Sequence, residues 1–230
     1  MHTLPLEKIG KSLNEHGFAS LPALIDPKTC EELISLYPEE GIFRKTVVME
    51  RHRFGLGEYK YFNYPLPAFI EELRANMYSH LAPIANQWMR TLGIDTQYPE
   101  DHETFLTTCH SQGQQKPTPL ILKYGKGGYN TLHQDLYGSV YFPIQLVLFL
   151  SDYGSDYKGG EFVITEQVPR SQSKALVIKP QKGDALLLAT SFRPVKGSRG
   201  YYRANLRHGV SEVTSGIRYT MGIIFHDATS

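Results

Sequence analysis

Positions 120–135 carry the sequence LILKYGKGGYNTLHQD, in which an apolar run, a glycine-rich turn and a polar segment follow one another. The aliphatic and aromatic residues at the start are typical of a β-strand, and the three glycines predict a turn. The chain leaves this turn as an extended segment that ends with His133 and Asp135. Because side chains alternate between the two faces of a strand, these two residues point to the same side.

Two later residues can complete a site with this pair. His208 supplies a second imidazole, and Arg218 follows it ten positions later. Two histidines and one carboxylate form the ligand set of non-haem Fe(II) oxygenases, and this set leaves the other coordination positions open. Taken alone, the His-x-Asp triplet fits a hydrogen-bonded surface pair better, and Arg218 fits a solvated strand residue. The segments around them decide between these interpretations.

The second half of the chain reads as a series of short strands separated by turns. The predicted strands lie at residues 141–150, 158–164, 175–179, 185–189, 206–213 and 217–225. The turn Thr214-Ser215-Gly216 predicts a hairpin between the strand of His208 and the strand of Arg218. With Val213 opposite Ile217, this hairpin would bring His208 and Arg218 to the same cavity.

Residues 118–227 resemble the double-stranded β-helix of the 2-oxoglutarate- and Fe(II)-dependent dioxygenases, most closely their prolyl-4-hydroxylase-like group. The resemblance rests on Tyr124-Gly125-x-Gly127-Gly128 with His133-x-Asp135, and on the spacing between His208 and Arg218. More narrowly, residues 206–228 are similar to a little-characterised bacterial oxygenase family that has been linked by analogy to the repair of alkylated nucleic acid.

This resemblance implies a mainly β protein with flanking helices (α+β) around a jelly-roll core. It implies one dioxygenase domain over residues 1–230, with support and lid in residues 1–116 and the core in residues 117–228. His133, Asp135 and His208 would hold Fe(II), and O2 would be consumed with 2-oxoglutarate as co-substrate. Arg218 would bind the far carboxylate of 2-oxoglutarate. Tyr124 would add a hydroxyl hydrogen bond, or else be a core tyrosine with a solvated tip.

The other histidines fit the distal ligand position less well. His226 ends a strand but has no arginine ten residues later, because the chain ends first. His110 lies upstream, in a segment that reads as a polar loop and comes in the wrong order for this fold. The remaining histidines lie in the front half and are interpreted as surface or structural residues.

The front half predicts helices and strands that support the core. Helices are expected at residues 6–15 and from Asp26, an N-cap followed by Pro27, to about Tyr37. A short strand is expected at residues 18–21. A longer helix is expected from Ala68 to about Leu92, with an interruption before Pro83.

Composition limits the class of protein further. With 24 basic and 23 acidic residues, the net charge is +1, so bulk charge implies no polyanionic partner. The two cysteines lack the spacing of a metal pair, which favours a reducing compartment, and we expect a cytoplasmic protein. We see no secretory signal and no membrane-spanning run, so no membrane partner is expected.

Two segments bear on the substrate. Residues 43–64 interleave cationic and aromatic side chains, which suit phosphate contact and base stacking but equally an edge hairpin. A basic stretch from Arg193 to Arg207 leads to His208 and is expected near the mouth of the site, or else is a solvated loop. We predict substrate contacts from Arg199, Arg203 and Tyr137.

The substrate class stays open at this point. Nucleic acid is favoured, a peptide in a prolyl-type hydroxylation comes second, and a small molecule comes third. Two other classes remain: a jelly-roll binding module without catalysis, and a cupin-type metal enzyme that uses no 2-oxoglutarate. Metal-dependent formation of succinate would separate the dioxygenase from both.

Overall fold

The computed structural model of the chain describes residues 4–230. This part of the chain contains the helices α1 Leu6–His16, α2 Pro27–Ser35, α3 Ala68–Leu92 and α4 His102–Ser111, and a 3₁₀ turn at Met49–His52. Its strands are β1 Phe18–Leu21, β2 Phe43–Val48, β3 Gly55–Leu56, β4 Glu58–Phe62, β5 Leu120–Tyr124, β6 Tyr129–His133, β7 Ile144–Phe149, β8 Tyr157–Gly159, β9 Phe162–Gln167, β10 Lys174–Ile178, β11 Ala185–Ala189, β12 Phe192–Gly197, β13 Gly200–Val210, β14 Val213–Gly216 and β15 Arg218–Ile223.

The strands form two main antiparallel sheets. The larger has the order β1-β11-β7-β15-β5-β4-β2, and the smaller has the order β10-β9-β13-β6-β3, with β12 added beside β13. The inner faces meet, since Phe149 of β7 packs edge-on against Phe162 of β9 at 5.7 Å between ring centroids. The predicted jelly-roll core with flanking helices is confirmed.

The larger sheet is covered on both faces, which explains its composition. Every residue of β7 and of β11 is buried, so these strands are continuous apolar runs rather than alternating ones. Helix α3 joins the same core through side chains such as Tyr78, which packs against Phe142 at 4.8 Å and Phe225 at 6.2 Å. The core is therefore continuous between the helices of the front half and the β-sandwich.

Helix α3 runs without interruption through Pro83, so the predicted break is wrong. Proline removes one backbone donor and leaves the carbonyl of Ser79, four residues earlier, without its helical partner. Both residues are exposed, so water can satisfy that carbonyl. The buried face continues from Leu81 and Ala82 to Ala85 on either side of the proline, and this packing keeps the helix whole.

The predicted hairpin between the strands of His208 and Arg218 is also wrong. Strand β13 pairs with β9 and β6 in the smaller sheet, whereas β15 pairs with β5 and β7 in the larger sheet. The connecting strand β14 pairs with β8 instead. Gly216 makes this possible, because it has φ of 79° and a Cβ there would clash with the carbonyl oxygen of Asp156. The chain thus crosses between sheets at this turn.

Two segments for which a loop was considered have regular structure. The basic stretch forms the hairpin β12–β13, in which Pro194 is tolerated because β12 pairs on one side only. His110 lies in the last turn of α4 rather than in a polar loop.

At the start of α2, Asp26 accepts a 2.8 Å hydrogen bond from the Thr29 amide, so the predicted cap is confirmed. Within residues 4–230, no helix combines the length and apolarity needed to cross a membrane.

Candidate metal centre and co-substrate pocket

The structure brings His133, Asp135 and His208 together. His133 at the end of β6 lies opposite His208 of β13 in the antiparallel register, and their ring centroids are 4.3 Å apart. The carboxylate of Asp135 lies 3.6 Å from Nε2 of His133 and 3.3 Å from Nε2 of His208. One nitrogen or oxygen from each residue lies within 4.8 Å of the other two, which is close enough for a single metal ion.

Neighbouring groups fix the orientation of all three side chains. Nδ1 of His133 lies 2.8 Å from the carbonyl oxygen of Thr131, which leaves Nε2 for a metal. The hydroxyl of Tyr137 donates a 2.8 Å hydrogen bond to Oδ1 of Asp135. The ring of Phe162 stacks on that of His208 at 5.5 Å, with 19° between the planes. Such support is characteristic of metal ligands, whose partners set ring tautomer and direction.

The protonation states of the group also suit a metal. Burial and the neighbouring His208 lower the pKa of His133. Burial alone would raise the pKa of Asp135, but the two histidines and the Tyr137 hydroxyl outweigh it and hold that pKa well below its usual range. Neutral imidazole and ionised carboxylate are the forms that bind divalent metals.

Arg218 is a buried cation that has no acidic partner among the described residues. Its side chain is 1 % exposed, and Nε and Nη2 make no hydrogen bond within residues 4–230. The guanidinium carbon lies 5.5–5.9 Å from three ring centroids, those of Tyr124, Phe149 and Tyr157. Isolating a charge in this way is costly unless an anion compensates it. The two unused nitrogens could therefore hold a carboxylate.

Tyr124 lies beside this arginine. It is the direct partner of Arg218 in the pairing of β5 with β15, and its hydroxyl accepts a 3.3 Å hydrogen bond from the amide of Asn130. Burial raises the pKa of Tyr124 to about 12, although Arg218 acts in the opposite direction. The hydroxyl therefore keeps its proton and can donate a hydrogen bond to an anion.

A cavity of about 170 Å³ leads from the surface to the triad. His133 and Asp135 lie in its lining, and aromatic rings form much of its wall, namely Phe54, Tyr59, Tyr61 and Tyr137. Arg218 is not among the residues that line this open part of the cavity. It lies next to Tyr124, whose hydroxyl contacts Asn130 in the cavity wall. The cavity thus combines a polar floor with an aromatic wall.

The cationic-aromatic segment divides between its two faces. Tyr59 and Tyr61 of β4 face the cavity, whereas Lys60 between them donates a 2.9 Å hydrogen bond to the carbonyl of Tyr37 on the other side. Arg44 stacks over the Tyr61 ring at 4.5 Å and donates to the carbonyl of Pro117. Strand β2 is the end strand of its sheet and pairs with β4. The edge-hairpin interpretation therefore holds for these two strands.

The basic stretch before His208 does not line the triad cavity. Arg193 is buried and forms a 2.6 Å ion pair with Glu166. Arg203 stacks over Phe192 at 4.8 Å and lines a separate cavity of about 360 Å³. Arg199 is exposed in the turn between β12 and β13.

Two supporting residues went unrecognised in the sequence. The amide of Gln134 donates to the carbonyls of Ser191 and Leu206, at 3.0 and 2.8 Å, and ties the ligand segment to its neighbours. The second is Phe162, the ring that stacks on His208. Gln134 lies between the two candidate ligands in the sequence, and that position was a usable sign. Nothing local in the sequence indicates the contact of Phe162.

A protein-family model described as "Oxygenase, catalysing oxidative methylation of damaged DNA" matches residues 57–228, which is most of the chain. The chain belongs to this oxygenase family. The oxygenase is also 46 % identical to uncharacterized proteins of two strains of Mycobacterium tuberculosis over 164 residues, covering 71 % of this chain and 70 % of theirs. The predicted resemblance to an oxygenase family is confirmed.

Solved structures show the same fold at low sequence identity. A Pseudomonas putida prolyl-4-hydroxylase aligns with a TM-score of 0.57 at 13 % identity, covering 94 % of this chain and 96 % of its own. A Burkholderia pseudomallei oxidoreductase of the 2OG-Fe(II) oxygenase family gives 0.57 at 15 %, covering 100 % and 95 %. A Trichoplax adhaerens prolyl hydroxylase, in complex with a hypoxia inducible factor peptide, gives 0.55 at 15 %, covering 95 % and 87 %.

The donor set of this oxygenase fits Fe(II) as cofactor and 2-oxoglutarate as co-substrate. Two imidazoles and one carboxylate within a single small cluster are the ligands of non-haem iron. The orphaned nitrogens of Arg218 fit the far carboxylate of a diacid, in a bidentate contact that arginine makes better than lysine. The enzyme is an oxygenase whose fold and donor set fit the 2-oxoglutarate- and Fe(II)-dependent dioxygenases.

Proposed function

We propose that this dioxygenase acts on alkylated nucleic acid, and that it hydroxylates or oxidatively demethylates a base. One observation carries the proposal: the cavity above the His-Asp-His cluster is open to solvent and has a wall of aromatic rings. An enzyme that modifies a base takes it out of the stack and holds it against aromatic side chains. The description of the family, which names damaged DNA, agrees with this substrate.

The roles of individual residues follow from their contacts. His133, Asp135 and His208 would hold Fe(II), and Arg218 with Tyr124 would bind 2-oxoglutarate. When bound, these two groups supply the oxidising chemistry, in which O2 is consumed, 2-oxoglutarate becomes succinate and CO2, and oxygen enters a C–H bond of the substrate. Tyr137 holds the Asp135 carboxylate in place, and Phe162 keeps water from one face of the His208 ring.

The remaining cavity residues position the substrate. Phe54, Tyr59 and Tyr61 offer ring faces and edges to a flat base. Because every base has a flat face, such stacking tolerates any base sequence. For a methyl group on a ring nitrogen, hydroxylation gives a hemiaminal, which releases formaldehyde and leaves the unmodified base. The products to measure are then succinate and formaldehyde in equal amounts.

The test uses the full chain with Fe(II), 2-oxoglutarate, O2 and a single-stranded oligonucleotide treated with a methylating agent. Succinate should form faster than with the untreated oligonucleotide, and formaldehyde should appear only with the treated one. Asp135→Ala should abolish both products and serves as the control. Equal succinate with both oligonucleotides, together with stimulation by a proline-containing peptide, would overturn the nucleic-acid assignment in favour of a protein substrate.

The place of action is part of the same proposal. We propose that the enzyme works in the cytoplasm, where nucleic acid is available and thiols stay reduced. Both cysteines, Cys30 and Cys109, are buried and free, which agrees with a reducing compartment.

A further inference from the structure

A short basic segment lies at the mouth of the triad cavity, outside the family's metal and co-substrate residues. It runs from the 3₁₀ turn into β3 and comprises residues 51–56, which we call the mouth segment. Its Phe54 lines the cavity, and the Phe54 carbonyl accepts a 2.9 Å hydrogen bond from the amide of Thr131 in β6. The segment is therefore fixed beside the strand that carries His133.

The cations of this segment are free to meet an external anion. Arg51 and Arg53 are exposed, and neither side chain makes an ion pair or a hydrogen bond to any residue in the range 4–230. The adjacent acid, Glu50, is directed to the backbone amide of Gly57 at 3.4 Å. By contrast, the charge of Arg193 is neutralised in an ion pair with Glu166. The charge beside the cavity-lining Phe54 thus has no partner within residues 4–230 that would neutralise it.

Exposed rings and apolar side chains lie on the same segment, on the strand β6 that pairs with it, and just after that strand. The ring of His52 stacks with that of Phe54 at 5.4 Å, with 21° between the planes. Phe54 itself is 45 % exposed. Four more large apolar side chains are exposed on the mouth segment, on β6 and just past Asp135, and these are Leu56, Tyr129, Leu132 and Leu136. An exposed apolar patch beside free cations marks a binding surface.

We propose that the mouth segment binds a single strand of nucleic acid, with phosphates at Arg51 and Arg53 and a base stacked on Phe54 while its neighbour enters the cavity. This inference rests on the proposed function and names the surface that delivers the substrate. Cations interleaved with exposed rings recognise unpaired strands, because phosphates need positive charge and only unpaired bases offer a free face. The base pairs of a duplex hide those faces, so a duplex should bind less well.

Fluorescence anisotropy with a labelled single-stranded oligonucleotide tests the phosphate contacts. The full chain and the double variant Arg51→Gln/Arg53→Gln are titrated between 50 and 200 mM salt, the range over which phosphate contacts show. The log–log slope of affinity against salt should become shallower by about 1.4, since each single-strand contact contributes about 0.7. The control Arg90→Gln/Arg170→Gln removes the same charge from exposed arginines away from this cavity and should match the wild type.

The stacking contact is tested separately with Phe54→Ala. Affinity should fall roughly 5- to 150-fold while the salt slope stays unchanged, because stacking carries no counterion release. A duplex of the same sequence should bind more weakly than the single strand to the wild-type chain. Circular dichroism spectra and melting temperatures of all variants check that each one is folded.

The outcomes separate this inference from the proposed function. If methylated oligonucleotide still stimulates succinate formation but Arg51→Gln/Arg53→Gln keeps the wild-type salt slope, the mouth segment is not the binding surface and the proposed function stands. If the duplex binds as tightly as the single strand, the stacking role is overturned. If no nucleic acid binds even at 50 mM salt and none stimulates turnover, both fail together.

Discussion

Tyr137, for which we predicted a substrate contact, lines the cavity and also forms a hydrogen bond to a candidate metal ligand. The hydroxyl donates to Oδ1 of Asp135 at 2.8 Å, and so restrains the carboxylate that bridges the two histidines. Tyr137→Phe removes this restraint while keeping the ring, and we expect metal affinity to fall about 10- to 100-fold. Titration calorimetry with Mn(II) in the absence of O2 measures it directly.

The matched control is Tyr59→Phe, which removes a hydroxyl from the same cavity wall. Tyr59 makes no hydrogen bond to Asp135 within residues 4–230, so this change should leave metal affinity near that of the wild type. An equal loss in both variants would mean that cavity polarity, rather than the bond to the carboxylate, holds the metal.

Arg218 is the residue whose effect on the stability of the protein without 2-oxoglutarate is easiest to measure. Nε and Nη2 of this buried cation have no hydrogen-bond partner within residues 4–230, so the side chain should destabilise the fold until a carboxylate is bound. Arg218→Met should therefore leave the melting temperature without 2-oxoglutarate unchanged or raise it, and should weaken 2-oxoglutarate binding by about 2–5 kcal/mol. Differential scanning fluorimetry with and without 2-oxoglutarate measures both effects. A variant that melts far below the wild type yet binds 2-oxoglutarate normally would refute this role.

The alternation of side chains along a strand best predicted the face to which a single residue points. It was applied to His133 and Asp135 but not to the basic stretch. It correctly put His133 and Asp135 on one face. The same rule puts Arg203 and Arg207 on the face of β13 opposite to His208, and both are indeed exposed while His208 is buried. The expectation that the basic stretch leads to the mouth came from nearness in sequence, which does not determine the direction of a side chain.

At the scale of elements, local chemistry predicted starts and ends better than partners. The Asp26 cap and the continuous apolar runs of β7 and β11 were visible, because each depends on neighbours in sequence. The continuity of α3 through Pro83 and the pairing of β14 with β8 depend on distant packing. Propensity and turn residues alone therefore favoured a broken helix and a local hairpin.

Helix α4 is joined to the end of the chain by a group that titrates. Nε2 of His102 lies 2.8 Å from the carbonyl oxygen of Phe225, and burial, assisted by Arg74, lowers the pKa of His102 to about 4. The unfolded chain, with a pKa of about 6.5, takes up the proton first. Stability should therefore be full above about pH 6.5 and fall as the pH drops toward 4, by at most about 3 kcal/mol from this residue.

Urea unfolding at several pH values between 7.5 and 4.5 measures this dependence. His102→Gln keeps a side-chain donor for the Phe225 carbonyl but cannot titrate, so its profile should be flatter than that of the wild type. His80→Gln changes an exposed histidine of α3 and should leave the profile as it is. Equal acid sensitivity in all three proteins would assign the effect to other groups.

At the scale of the whole molecule, the candidate site is divided between the two sheets. The candidate metal ligands belong to β6, β13 and the segment after β6 in the smaller sheet, whereas Tyr124 and Arg218 belong to β5 and β15 in the larger one. The types and spacing of these residues were readable from the sequence. Their meeting across the sandwich was not, because it depends on how the chain passes from one sheet to the other between residues 210 and 218.

This division predicts that metal and 2-oxoglutarate stabilise the protein cooperatively. A diacid that meets the metal at one end and Arg218 at the other would join the two sheets, whereas either ligand alone contacts mainly one of them. A ligand that binds only the folded state raises the free energy of unfolding by about 2.7 kcal/mol when its concentration is a hundred times its Kd. The rise in melting temperature with Mn(II) and 2-oxoglutarate together, measured without O2, should therefore exceed the sum of the two separate rises. Arg218→Met should reduce the combined rise to that of metal alone, and strict additivity in the wild type would show that the two ligands bind independently.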